Sequence, residues 1–293
     1  MDATNPPVLS PPQTEPGRRA GAPNTARSDT PDQAREDTGT LAAAVRTVSG
    51  LTLVSRFSGL ARDIVTARIF GDDLLGSAFR AAYALPNFFR RLFGEGALSA
   101  AFLPEYTLLK RDDPGLADQL ASLTVRGLVL ATGGITLLIE VILFARLLLW
   151  PASHELGMSL RLILLMLPMM PAVCLTAILG GVLQVHNRFG PPAAAPIILN
   201  LFQIIAGAGF FLGVTGGRLS TAYCVGASAV LASIVQIIWS LWALRGLVRW
   251  TRVASGARQQ ARRVLSRFVP AMLGLGTLQL NTCLLYTSDA ADE

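Results

Sequence analysis

Charged residues are scarce in this sequence, and their scarcity excludes an ordinary soluble protein. Only 15% of the 293 residues are Asp, Glu, Lys or Arg, against about 25% in a typical soluble domain. Apolar residues make up 52% of the chain, and several stretches reach the roughly 18–20 apolar residues that cross a bilayer. The polar surface is too small to cover a soluble globule. The composition therefore predicts an all-α, polytopic bundle of transmembrane helices.

Cysteine and enzymatic motifs are also scarce. The three cysteines, Cys174, Cys224 and Cys283, have no paired spacing, so neither a disulfide framework nor a metal cluster is predicted. Cys174 and Cys224 lie in apolar runs and are predicted to be small core residues. The sequence has no Walker loop, dinucleotide fingerprint, HExxH motif or nucleophile elbow. It therefore predicts neither an enzyme nor a bound cofactor or metal.

Arginine is concentrated in one short segment between two apolar spans. This basic segment holds seven arginines and no intervening acid: Arg245, Arg249, Arg252, Arg258, Arg262, Arg263 and Arg267. A cytoplasmic loop that faces anionic lipid headgroups has this character. The positive charge therefore predicts anionic membrane lipids as partners and argues against nucleic acid.

The chain divides into a tail, a bundle and an unusual end. Residues 1–40 contain seven prolines and no aromatic residue, which predicts a disordered tail without the apolar core of a secretory signal. Residues 41–282 are predicted to form the transmembrane bundle. Its spans are predicted at 41–70, 74–108, 119–150, 158–186, 192–214 and 219–248, with a seventh beginning near 262.

The last eleven residues, 283–293, differ abruptly from the preceding apolar text. They match the in-frame translation of a transposase-type sequencing adapter, so we interpret them as an artefact. On that interpretation the protein continues beyond residue 282 and the seventh span is cut short.

Positive charge in the short loops predicts the orientation. If the N-terminus is cytoplasmic, the inside loops carry Lys110, Arg111, Arg188 and the basic segment. The outside loops then carry little charge beyond Arg218 and Arg146. This asymmetry satisfies the positive-inside rule and predicts a cytoplasmic N-terminus.

The first span carries charge in its middle. Its small and polar residues share an arc of roughly 140° on a helical wheel: Ser49, Thr52, Ser55, Arg56, Gly59, Arg62, Asp63 and Thr66. An arginine at the bilayer centre costs about 2.5–3.5 kcal/mol, and the single acid on this stripe, Asp63, does not cancel both Arg56 and Arg62. Guanidinium groups in a water-filled cavity suit an anionic ligand, phosphate in particular. The alternative is a structural ion-pair network.

The second span repeats this pattern within an arc of about 140°, over Asn87, Arg90, Arg91, Gly94 and Glu95. Arg91 and Glu95 are spaced to pair, which would leave Arg90 unmatched. Pro86 is predicted to bend or break the helix just before them. A broken helix with charge beside the break is typical of transporter substrate sites. The alternative is a plain kink with a surface-facing ion pair.

These residues resemble the MurJ/MviN family of lipid II flippases, within the multidrug/oligosaccharidyl-lipid/polysaccharide (MOP) exporter superfamily. The resemblance rests on residues 55–63 (SRFSGLARD), 67–71 (ARIFG) and 85–97 (LPNFFRRLFGEGA). Residues 186–189 (HNRF) and 195–200 (APIILN) also look like family text. The resemblance as a whole extends over about residues 41–282.

The resemblance implies a fourteen-helix protein whose two lobes surround a cationic cavity. The family moves lipid II, a lipid-linked peptidoglycan precursor, to the outer leaflet of the bacterial cytoplasmic membrane, which also implies the cell-wall synthesis machinery as a partner. The resemblance assigns substrate binding to Arg56, Arg62, Arg90, Asn87 and Glu95, with Ser55, Asp63 and Arg91 in support.

The sequence departs from the family at Ser77, where the family often has an acid, and this argues against a charge relay through that position. The second-lobe helices would be absent, so the fragment alone is not expected to flip lipid. Two alternatives are a sister exporter of another polyprenyl-linked saccharide or drug, and a non-transporting membrane scaffold. The intact arginine motifs disfavour both.

Overall fold

The computed structural model describes residues 31–252 and 256–289, with side chains described for 45–93, 96–252, 256–274 and 277. All regular structure in these ranges is helical, as the composition predicts. The helices are α1 (Pro31–Phe70), α2 (Leu74–Phe89), a π-helical turn (Arg90–Gly96), α3 (Ala97–Asp112), α4 (Pro114–Leu149), α5 (His154–Met166), α6 (Met169–Val185), α7 (Gly190–Phe211), α8 (Arg218–Ala243) and α9 (Arg258–Asp289).

Helix α1 begins at Pro31, ten residues before the predicted start of the first span. Proline suits the first turn of a helix, and Ala34 and Glu36 are strong helix formers. The rest of the predicted disordered tail, residues 1–30, lies outside the described residues. The chain divides at Ala43, and the compact unit considered below runs from Ala44.

Four helical segments in the described part of the chain are long and apolar enough to cross a membrane: α4, α5 with α6, α7 and α8. They correspond to the third to sixth predicted spans. The predicted span 158–186 is two helices, which are separated at Leu167 and Pro168. Proline has no backbone N–H to donate, so a break is expected there. The predicted first two spans carry the arginines and are not among the four.

The third span starts earlier than predicted because of its N-terminal cap. Asp113 Oδ1 accepts a hydrogen bond from Leu116 N at 3.0 Å, and Pro114 occupies the first turn. Both features favour a helix start at this point rather than at residue 119.

Helix α6 lies at the centre of the bundle, in contact with α2, α3, α4, α7 and α8. One apolar cluster, which includes Phe102, Leu120 and Leu183, joins α3, α4, α6 and α9. A second cluster, which includes Ile69 and Met166, joins α1, α2, α5, α6 and α8. The two clusters leave space along α6 for a cavity.

The exposed surface of α4 is apolar, as a lipid-facing surface requires. Its exposed side chains include Leu130, Leu137, Leu138, Val141 and Phe144. Without a bilayer, an apolar surface of this extent would be unusual for a monomeric protein.

The two cysteines with described side chains differ in their environment. Cys174 is buried in the core, as predicted. Cys224 is exposed, so its predicted core position is wrong. Its neighbours Ala222 and Val225 are buried, and helical periodicity turns the side chain between them outward.

Helix α7 approaches α1 closely at Gly207. A Cβ atom at this position would lie 2.7 Å from Val65 Cγ1 and 3.2 Å from Ile69 Cδ1. The absence of a side chain therefore lets Val65 and Ile69 of α1 pack against the backbone of α7. This contact lies two turns of α7 from Asn200, which reaches the first arginine of the site.

The basic segment is held against the bundle by hydrogen bonds from its backbone and by ion pairs of two of its arginines. Asp118 Oδ2 accepts from Arg249 N at 3.1 Å, and Ser122 Oγ accepts from Thr251 N at 3.0 Å. The nearly buried Glu105 carboxylate lies 3.8 Å from Arg263 and 3.6 Å from Arg267. Part of the positive charge is therefore compensated within the protein.

Candidate functional site

A cavity of about 830 Å³ extends along α6 and is lined by residues of α1, α2, the π-helical turn, α3, α6, α7 and α8. Its polar lining residues are Arg62, Tyr83, Asn87, Arg90, Arg91, Ser99, Thr176, Gln184, Asn200 and Gln236. Among the described lining residues, three are arginines and none is Asp or Glu. The cavity is therefore cationic.

Arg62 projects from α1 into this cavity and is held by two neighbouring helices. Its Nη1 donates to Tyr83 Oη on α2 and to Asn200 Oδ1 on α7, each at 3.1 Å. Its guanidinium carbon also lies 5.5 Å from the centroid of the Tyr83 ring, within the range of a cation–π contact. Three contacts to two helices fix the position of the charge.

Asp63 partly neutralises Arg62. Its Oδ1 accepts from Arg62 Nη2 at 2.7 Å and from Nε at 3.1 Å. The carboxylate remains 64% exposed, whereas the arginine side chain is 21% exposed. Arg62 thus takes part in an ion pair and also faces a cavity. The polar stripe of the first span therefore has features of both interpretations, the structural ion-pair network and the anion-binding cavity.

Asn200 ties α7 to α1 at the same point. Its Nδ2 donates to Ser58 Oγ at 2.9 Å and to the Ser55 carbonyl at 3.3 Å. Only 4% of the residue is exposed, and a buried polar group without partners costs about 1–3 kcal/mol. Of the predicted supporting residues, Ser55 thus contributes through its backbone.

The π-helical turn places Arg90 and Arg91 on the cavity wall. The prediction placed the irregularity at Pro86, but Pro86 lies inside α2 and the turn begins at Arg90, one turn later. One extra residue in a helical turn re-aims the side chains that follow it, and such turns are frequent at functional sites. The break predicted beside the charges is therefore present, displaced along the chain.

Arg90 is not unmatched, contrary to the prediction. Its Nε donates to Asn87 Oδ1 at 3.4 Å, and Asn87 Nδ2 in turn donates to the Tyr83 carbonyl at 3.0 Å. Arg90 is only partly exposed, whereas Arg91 is exposed. The side chain of Glu95 lies outside the described residues, so its predicted pairing with Arg91 stays a prediction.

Arg56 is not brought together with the other arginines. Its side chain is exposed and does not line the cavity. It lies six residues before Arg62, which is about 120° around an ideal helix. Its assignment to the substrate site stays a prediction.

A second, smaller cavity of about 250 Å³ adjoins the first, and Arg62 and Tyr83 line both. Gln203 of α7 lines the smaller one. The residue is 1% exposed, and within the described part of the chain neither amide atom has a hydrogen-bond partner.

Sequence reasoning missed Tyr83, Asn200 and Gln203. The available signal was an uncharged polar side chain inside an apolar span, since such residues commonly face the interior of a bundle. In the residues searched, no group of three His, Cys, Asp or Glu side chains could hold a metal ion. The arrangement suits an anion through charge and guanidinium hydrogen bonds.

Solved structures establish the class of the fold. A lipid II flippase MurJ in an inward closed conformation aligns with a TM-score of 0.62 at 26% identity, over 80% of this chain and 48% of that one. A MOP superfamily transporter from Pyrococcus furiosus aligns at 0.65 and 13% identity, over 83% of this chain and 55% of that one. The chain thus has the helical fold of MOP superfamily membrane transporters.

The sequence then specifies the family. The chain belongs to the lipid II flippase MurJ family, whose family model matches residues 66–287. The lipid II flippase MurJ of Burkholderia cenocepacia is 30% identical over 249 residues, which are 81% of this chain and 48% of that protein. The chain spans about half the length of this relative.

Proposed function

We propose that the protein containing this chain moves lipid II across the bacterial cytoplasmic membrane. The observation that supports this most is the cavity wall, which includes Arg62, Arg90 and Arg91 and no carboxylate among the described lining residues. Family membership supplies the substrate class, since the matching family and the Burkholderia cenocepacia relative are named lipid II flippases.

The diphosphate of the substrate would bind the cavity arginines. Guanidinium groups donate parallel hydrogen bonds that match phosphate oxygens. Arg62 is held by Tyr83 and Asn200, so its charge is in place before the ligand arrives, and less entropy is lost on binding. Arg90, which lines the same cavity from the π-helical turn, would provide a second contact.

Transport would follow from rocking of this bundle against a second lobe around the bound headgroup. We propose that the N-terminus is cytoplasmic and that the basic segment faces anionic lipid headgroups on that side. The cell-wall synthesis machinery is the further partner that the family suggests.

The test is rescue of a bacterium depleted of its own lipid II flippase, by the gene product that contains this chain. The wild-type sequence should restore growth, and Arg62→Gln should lose most of this rescue because its side chain keeps polar atoms but no charge. The control is Arg146→Gln at the end of α4, where the guanidinium donates to the Trp150 carbonyl at 3.1 Å, outside the cavity. Membrane levels of all three proteins are measured by immunoblot.

Full rescue by Arg62→Gln at normal membrane levels would contradict the role of the cavity. Failure of the wild-type protein to rescue at normal levels would contradict the proposed substrate. Equal loss in Arg62→Gln and Arg146→Gln would mean that any lost arginine impairs the protein, and would also count against the proposal.

A further inference from the structure

The smaller cavity, lined by Arg62, Asp63, Arg80, Gln203 and other residues of α1, α2 and α7, has polar and aromatic walls. Phe70 and Phe79 also line it, with ring centroids 4.6 Å apart. Its volume of about 250 Å³ is just below the roughly 300–1,000 Å³ of pockets for drug-sized ligands. The cavity thus suits a group the size of one ring.

Gln203 supplies an unused donor and an unused acceptor to this cavity. Both amide atoms are buried, and neither has a partner among the described residues. By contrast Asn200, one turn earlier on α7, uses its amide in three hydrogen bonds. Buried polar atoms in folded proteins are nearly always paired with protein, water or ligand, so Gln203 indicates a missing occupant with both donors and acceptors.

The charged groups of the cavity wall restrict the kinds of chemical group that the cavity could bind. Asp63 directs Oδ1 toward Arg62, while its Oδ2 accepts no hydrogen bond from any described residue. Arg80 is 57% exposed and bonds to the Gly71 carbonyl at 3.1 Å. Arg62 pairs with Asp63 at 2.7 Å, and Arg80 Nη1 lies 3.4 Å from Asp72 Oδ1. Both guanidinium charges of this wall thus have a carboxylate partner, which disfavours a second phosphate here, and the charged and amide groups disfavour a lipid tail. A neutral ring with several hydroxyl or acetamido groups satisfies an amide, a carboxylate and an aromatic wall together.

We propose that the smaller cavity binds a sugar ring of the lipid-linked substrate while its diphosphate lies in the larger cavity. This inference depends on the proposed function, because it requires the diphosphate to contact Arg62. Arg62 and Tyr83 line both cavities, so a sugar attached directly to a diphosphate at Arg62 needs to span only this shared wall. Gln203 is then a specificity residue that contacts the sugar through its amide.

The test compares two ligands on the purified full-length protein that contains this chain, in lipid nanodiscs. The ligands are undecaprenyl diphosphate and undecaprenyl diphosphate that carries one N-acetylhexosamine. The variant is Gln203→Met, which keeps the length of the side chain and removes both amide atoms. The matched control is Gln119→Met on α4, outside both cavities. Affinities are measured by native mass spectrometry, and thermal unfolding is recorded for each protein.

The wild-type full-length protein should bind the sugar-bearing lipid more tightly than the bare diphosphate. Gln203→Met should weaken binding of the sugar-bearing lipid about tenfold, the expected effect of two lost neutral hydrogen bonds, and leave the bare diphosphate unaffected. Gln119→Met should change neither. Thermal unfolding of Gln203→Met should not occur at a lower temperature, because no described hydrogen bond is removed.

Unchanged affinity of Gln203→Met for the sugar-bearing lipid would overturn the subsite and indicate that water alone occupies the cavity. Equal weakening toward both lipids would overturn it as well, since the residue would then act on the diphosphate or on the fold. If the wild-type full-length protein binds neither lipid, the proposed function itself fails, a result distinct from failure of the subsite alone.

Discussion

Arg62 donates to the side-chain oxygen of Asn200 at 3.1 Å, across 138 positions of the chain. This hydrogen bond joins α1 to α7 at the wall of the larger cavity. The same amide reaches Ser58 and the Ser55 carbonyl, so one side chain holds both the helix and its charged group. The position of the cationic group therefore depends on how α7 packs.

Replacement of Asn200 should disturb both stability and binding. Asn200→Leu removes the three hydrogen bonds that join α7 to α1 at this point. We expect the free energy of unfolding to fall by about 1–3 kcal/mol and the affinity for undecaprenyl diphosphate to fall with it, because Arg62 loses one of its holding contacts. Thermal unfolding in detergent and binding in nanodiscs measure the two effects. A stable variant with wild-type affinity would show that Arg62 does not need this partner.

Gly207 should be intolerant of even a methyl group. Gly207→Ala places a Cβ atom 2.7 Å from Val65 Cγ1, which forces α1 and α7 apart at an overpacking cost of about 1–3 kcal/mol. The matched control is Gly134→Ala on α4, where a Cβ atom meets nothing within 4 Å. Thermal unfolding should be lowered in Gly207→Ala and unchanged or raised in Gly134→Ala. The same unfolding temperature in both variants would contradict the close packing of α1 and α7.

The ion pair between Asp73, in the loop before α2, and Arg218 should make part of the protein's stability depend on pH. The hydrogen bond from the Arg218 guanidinium, whose Nη1 lies 2.8 Å from Asp73 Oδ2, lowers the pKa of the Asp73 carboxyl below its ordinary value of 3.8. The folded state therefore favours the ionised form. The resulting stability is fully present above pH 3.8 and is lost as the pH falls through the folded-state pKa.

The variant Asp73→Asn measures the stability that the ion pair with Arg218 contributes. Its side-chain oxygen can still accept the capping hydrogen bond from Gly76 N, which Asp73 accepts at 3.2 Å. The unfolding temperature of the variant should lie below that of the wild type at pH 6. The difference should shrink toward zero as the pH falls below 3.8. A difference that stays constant with pH would show that the ion pair with Arg218 does not stabilise the fold.

Part of this site is readable from the sequence. A polar stripe in an apolar span predicts an inward-facing charge, and Arg62, Asn87, Arg90 and Arg91 do line the cavity. The helical wheel could not show that Arg62 faces the cavity and Arg56 does not. An arc of roughly 140° is wider than the part of a helix that faces one cavity. The neighbours decide which part of that arc meets the cavity.

Long-range packing explains what the sequence could not predict. Asn200 and Gln203 are uncharged residues in an apolar helix, and their importance follows from α7 meeting α1 at Gly207. The π-helical turn also escaped prediction, since Pro86 is the obvious breaker and yet lies inside α2. The fold class was easier, because composition and span length alone require a helical bundle in a membrane.

The proposed orientation predicts opposite labelling at the two ends of the bundle. Gln259 and His154 are both exposed, the first in α9 within the basic segment and the second at the start of α5. In intact cells with a permeabilised outer membrane, a membrane-impermeant maleimide should label His154→Cys and leave Gln259→Cys unlabelled until the inner membrane is opened. The unsubstituted chain gives the background from Cys224. The reverse pattern would contradict a cytoplasmic N-terminus.

The central claim is that the cavity arginines bind a lipid-linked diphosphate. Its most direct test is a titration of the full-length protein that contains this chain, in nanodiscs, with undecaprenyl diphosphate. The account predicts saturable binding that weakens at least tenfold in Arg62→Gln and in Arg90→Gln, since a hydrogen bond to a charged group contributes about 1.5–3 kcal/mol. Arg146→Gln should bind like the wild type. Affinities that are the same in all four proteins, each folded as judged by thermal unfolding, would contradict the claim.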